Sequence, residues 1–160
     1  MNEQQRLYLV QARSDWRVHR RLKSEPVCHR LHYSQMCTEK LAKAFFWRSP
    51  GAGNLGHAAF VKFIRAIATN QNVAKKLGWN DARSFREWIK DVSDLAYELQ
   101  ALAPSLANDG PNPEYPWPRN GPQHAPVEHD FAAWRRIQTA NGRHLWIMID
   151  KVLENFDEWF

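Results

Sequence analysis

"CHRLHYSQMCTEKLAKAFF", residues 28–46, decides the fold, because three readings compete for it. Its two cysteines and two histidines invite a metal site, its polar residues a catalytic face, and its spacing the core helix of a bundle. Leu31, Gln35, Thr38, Leu41, Ala42 and Phe45 recur at i, i+3 and i+4 intervals, which is one face of an α-helix. Structural zinc needs four converging ligands, normally from two separated pairs. Cys28 and His32 can share a face, as can His29 and His32, but Cys37 lies nine residues beyond Cys28 and no third cysteine exists. Nine helical residues span roughly 13 Å, whereas a disulfide needs Cα atoms within about 7 Å. Both thiols are therefore expected to be reduced and packed, with no metal and no cofactor.

The same periodicity extends outward. Residues 4–23 are predicted as a helix with Leu7, Val10, Trp16 and Leu22 on its apolar face, broken by Ser24–Pro26. "RSPGAGNLG" (48–56) is a loop. A third helix is expected over 57–70, with Phe60, Phe63, Ile64 and Ile67 inward, then a short helical turn closed by Gly78. A fourth runs over 81–103, capped by Asn80 or Asp81 and stopped by Pro104, with Asp94 and Glu98 facing away. Residues 104–129 hold seven of the nine prolines. They make too long a connection to be idle in a compact domain, and Tyr115 and Trp117 imply order. The last helix is expected over 130–155, with a kink or close crossing at Gly142. Nothing alternates with period two. The reading is all-α, about five helices in an up-down bundle, with a long ordered Pro-rich loop before the last helix, in a single domain over residues 1–160.

Composition limits the function classes. The 160 residues carry a net charge of +5 and eight Trp beside eight Phe, a folded globule and not a disordered chain. No run approaches the ~18 apolar residues of a membrane span, and the N-terminus has no signal-like apolar stretch, so a cytoplasmic protein with no membrane partner is expected. Residues 1–48 hold ten Lys or Arg against four acids. That basic third, notably "RVHRRLK" (17–23), can attract a phosphate backbone. The bland alternative is that these cations solvate helix exteriors.

Motifs for covalent chemistry are thin. No G-x-S-x-G and no phosphate-binding glycine loop occur. Gln35 and Glu39 sit one turn apart on or beside the stripe that should be apolar, and a buried carboxylate requires a partner. Arg13, Arg17, Arg20 and Arg21 on the first helix are the expected partners, across an antiparallel helix pair.

The run "LHYSQMCTEKLAKAFF" (31–46) resembles the second helix of HEPN domains, with Gln35, Glu39, Lys40, Lys43 and Ala44 at the family's polar and small positions. Gly56–His57 is similar to the "GH" that opens their third helix. The resemblance implies a helical bundle, a homodimer, and one of two functions. The first is non-catalytic binding of nucleic acid or nucleotide, or action through a nucleotidyltransferase or other protein partner, in toxin-antitoxin or defence settings. Its phosphate-contacting residues would be Arg17, Arg20, Arg21, Lys40 and Lys43, with Gln35 and Glu39 as a polar groove. The second is a metal-independent ribonuclease, which requires R-x₄₋₆-H at the last helix, an Arg for the phosphate and a His for the proton. Here Arg135 and Arg136 stand too far from His144, and Arg13 with His19 lies on the wrong helix. Arg119 and His124 fit only within a Gly/Pro loop. The balance leans away from an enzyme. A third reading is an oligomerising module, suggested by the aromatic end "ENFDEWF" (154–160).

Overall fold

The structure, a computed structural model, describes residues 1–48 and 56–160; most of the expected loop at 48–56 lies outside the described residues. Among the described residues the elements are seven α-helices and a 3₁₀ turn at Pro126–Glu128, with no strands. No helix among them is long and apolar enough to cross a membrane.

Helix α1 (Glu3–Arg21) starts with a reciprocal cap: Asn2 accepts from the Gln5 amide at 2.9 Å, and the Gln5 side chain accepts from the Asn2 amide at 3.1 Å. These bonds satisfy two donors that a helix start leaves open. Helix α2 (Val27–Phe46) runs back along it, so that Asn2 Nδ2 reaches Trp47 O at 2.7 Å and Gln5 Nε2 reaches Ala44 O at 3.1 Å. The α2 stripe predicted from spacing is buried throughout. The stripe predicted for α1 is not: Leu7 and Val10 are each 49% exposed. Trp16 of the expected stripe is buried, together with Gln5, Leu9, Ala12, Asp15 and His19, which the spacing did not select. Polar residues can occupy that face because each finds a partner on α2 or nearby, so apolar periodicity misplaces the inward face at Leu7 and Val10.

Helix α3 (Ala59–Ile67) is shorter than expected, and α4 (Gln71–Lys76) is a full helix closed by Gly78 at φ +89°. Helix α5 (Ala82–Ala101) takes Asp81 as its cap, whose carboxylate accepts from Ser84 N at 2.6 Å and Arg83 N at 3.2 Å. Gln100 on α5 accepts from the buried Val61 amide of α3 at 3.1 Å. Asp94 faces solvent, but Glu98 is half-buried and meets Arg136 at 2.6 Å.

The single last helix becomes two, α6 (Ala132–Ile137) and α7 (Ala140–Trp159). Thr139 caps α7 by accepting from Gly142 N at 3.2 Å. A Cβ at Gly142 would stand 2.5 Å from Ile137 Cα and press on Arg136 O, so Gly142 permits a close crossing of the two helices. The C-terminal aromatics are docked: Phe160 packs 5.0 Å from Phe45 and 5.2 Å from Phe156.

Residues 104–129 lie against the bundle. Trp117 is 4% exposed, packs beside His129 and Phe131, and pairs its backbone with His124. Glu114 faces His32 of α2 at 3.4 Å. The buried Asn112 accepts from Glu114 N and Tyr115 N and thereby shapes the turn between them.

Candidate nucleic-acid interface

The five nominated cations divide into two kinds. Lys40 Nζ lies 2.6 Å from Asp15 of α1, and Lys43 Nζ lies 2.6 Å from Glu39, one helical turn before it. Both carboxylates are buried, so these two lysines neutralise charges that would otherwise be costly inside the fold. Arg17 and Arg21 are exposed on α1. Arg20 is exposed and reaches Asp150 of α7 at 3.2 Å.

Glu39 therefore does not pair with an arginine of α1. Its Oε1 accepts from Lys43, and its Oε2 accepts from Gln35 Nε2 at 2.9 Å and lies 2.7 Å from His57 Nδ1. Burial raises its carboxyl pKa. The hydrogen bonds from Lys43, His57 and Gln35, with the Lys43 charge, outweigh burial and leave the pKa below the ordinary value. His57 was legible only as the second residue of "GH". The ion pair across α1 and α2 is Asp15–Lys40, with the acid and base on the opposite helices from those expected.

A second cluster joins α1, α2 and α7. His19 is 2% exposed and its ring stacks on Trp16 at 4.8 Å. The indole N–H of Trp146 donates to His19 Nε2 at 3.0 Å. An indole nitrogen only donates, so Nε2 must be the bare nitrogen and Nδ1 carries the proton. Around Nδ1 stand Arg30 O at 3.0 Å and Ser34 Oγ at 2.8 Å. Burial, with the nearby arginine charges, brings the imidazole down to about 4 despite its bond to Arg30 O. Trp16 in turn donates to Asp150 at 2.7 Å.

These groups wall a groove of about 270 Å³ between the C-terminal end of α1 and α7. Arg20, Lys23 and Arg30 line it against one carboxylate, Asp150, which Arg20 already engages. Arg30 lies over the Trp134 ring at 4.3 Å, and its Nε is buried without a hydrogen-bond partner. It pairs with no carboxylate among the described residues, and burial lowers its pKa. Sequence spacing missed the pairing of Lys23 with Arg30 because Lys23 lies in the turn after α1 and Arg30 lies on α2; the density of "RVHRRLK" was the only local signal.

Arg119 and His124 flank a turn in the Pro-rich segment. The Arg119 amide donates to Asp109 at 2.9 Å, and the His124 ring lies 6.3 Å from that of Trp117; no hydrogen bond joins the nominated pair. The larger cavity of about 700 Å³ in this segment includes Arg119 and Asp109 in its lining but not His124. Cys28 and Cys37 are buried free thiols, and burial raises both. Among the described residues no three His, Cys, Asp or Glu side chains converge as a metal site. No family model, curated protein or solved structure matches this chain.

Proposed function

We propose that this chain is a non-catalytic, HEPN-like up-down helical protein that binds nucleic acid or nucleotide through the basic end of α1. Arg17, Arg20 and Arg21 supply the phosphate contacts, joined by Lys23 and Arg30. Lys40 and Lys43 stabilise Asp15 and Glu39 instead of meeting the ligand. The observation that carries this reading is Arg30, a half-buried cation at the groove wall with no anionic partner. A partly buried charge met only by the face of Trp134 is costly, and a bound phosphate offsets that cost. The exposed cations beside it favour a polyanion through counterion release.

Fluorescence anisotropy with labelled RNA and DNA oligonucleotides at about 50 mM salt tests this. Affinity should fall steeply with added salt, and Arg17→Ala and Arg21→Ala should each reduce the slope by about one. No binding of either polymer removes the nucleic-acid role and leaves a free nucleotide or action through a protein partner, such as a nucleotidyltransferase. The ribonuclease alternative retains Arg119 and His124 as its pair. RNA cleavage in EDTA that His124→Ala abolishes would establish it in place of the binding role.

A further inference from the structure

Resting on that reading of the groove, we propose that the strand it takes is single, with one unstacked base laid against Trp146 while its flanking phosphates meet Lys23, Arg30 and the cations of α1. Three observations point this way. The groove holds about 270 Å³, room on the scale of one nucleotide. Its walls combine cations with aromatic and apolar surface: Trp16, half-buried Trp146 and Ile147, the last 52% exposed. Both indoles are held by part-buried hydrogen bonds, Trp146 to His19 and Trp16 to Asp150, so the wall is set before a ligand arrives.

Aromatic side chains stack on any base, and such platforms beside a basic track are how single strands are held without sequence preference. A paired base is already stacked within its duplex, and extruding it costs that stacking and pairing. The groove therefore discriminates by strandedness. The exposed Arg17 and Arg21 continue the basic surface along α1 beyond the groove, so a polymer gains contacts that a single nucleotide cannot make.

The probes are a labelled uridine 12-mer, a blunt RNA duplex of equal length, and uridine monophosphate as competitor, all with the full-length chain at about 50 mM salt. The single strand should bind at least about tenfold more tightly than the duplex, and Trp146→Leu should weaken it roughly tenfold with an unchanged salt slope. Because Trp146 also supports His19, Ile147→Glu is the companion variant: the residue is exposed, and a carboxylate there should repel the strand while leaving the helical circular dichroism intact. Equal affinity for strand and duplex, or wild-type binding by both variants, overturns the inference while the basic-surface reading stands. Displacement by the mononucleotide at concentrations matching the 12-mer overturns it in favour of a free-nucleotide ligand. Failure of all three probes to bind removes the underlying reading itself.

Discussion

Trp146 of α7 donates its indole N–H to His19 Nε2 of α1 across 3.0 Å, which commits a buried imidazole to its neutral form. A proton added at Nε2 would turn an acceptor into a second donor facing a donor.

This relationship predicts a pH dependence of stability. The folded value is about 4, whereas an unfolded histidine titrates near 6.5. The unfolded chain therefore binds the additional proton first as pH falls. The His19 contribution is complete above about pH 6.5, declines between there and pH 4, and is gone below it, amounting to roughly 3 kcal/mol. Urea midpoints from pH 7.5 to 4 should show the decline, and His19→Gln, less stable at neutrality, should show a smaller one. Parallel profiles for the two proteins would contradict the assignment.

Glu39 predicts the opposite ionisation. Its folded pKa lies below the usual carboxylate value, so its stabilising effect is present above the unfolded value and fades as pH drops through the folded one. Glu39→Ala leaves Lys43, Gln35 and His57 without their common acceptor. It should cost roughly 3 kcal/mol in denaturant unfolding at pH 7, against less than about 0.5 for the exposed Glu87→Ala. Similar losses for the two substitutions would refute a central role for Glu39.

Gly142→Ala separates propensity from packing by sign. Helix propensity alone predicts stabilisation of about 1 kcal/mol. The close approach of Ile137 and Arg136 backbone atoms predicts a loss of about 1–3 kcal/mol, because backbone cannot move aside as a flexible side chain would. A lower Tm supports the crossing; a higher one rejects it.

Lys40 and Arg17 should separate stability from binding. Lys40→Ala strands the buried Asp15 carboxylate and should destabilise the fold by about 3 kcal/mol, leaving the salt slope of RNA binding unchanged. Arg17→Ala should alter stability by no more than about 0.5 kcal/mol and reduce that slope. Reversed outcomes would exchange the roles of the two cations.

The α1 stripe shows why part of the fold was legible and part was not. Leu9→Ala should cost about 2–5 kcal/mol, whereas Leu7→Gln and Val10→Gln should stay within about 0.5, as thermal melts of the three variants can establish. Leu7 and Val10 have the hydropathy of core residues, but Asp15 and His19 occupy the core side because Lys40, Ser34 and Trp146 meet them there. Such partners are 15 to 127 positions away in the chain, beyond the reach of any local period.

What the sequence by itself determined is local: the all-helical class, the buried face of α2, a cap at Asn80 or Asp81, and the αL turn at Gly78. Each follows from side chains within a few positions, where spacing and backbone preference act directly. The tertiary structure alone decided which face of α1 turns inward, how Glu39 is satisfied, and that Lys23 and Arg30 share a groove with Trp146. Those outcomes depend on desolvation and pairing between helices, whose energies exist only once distant side chains have been brought together.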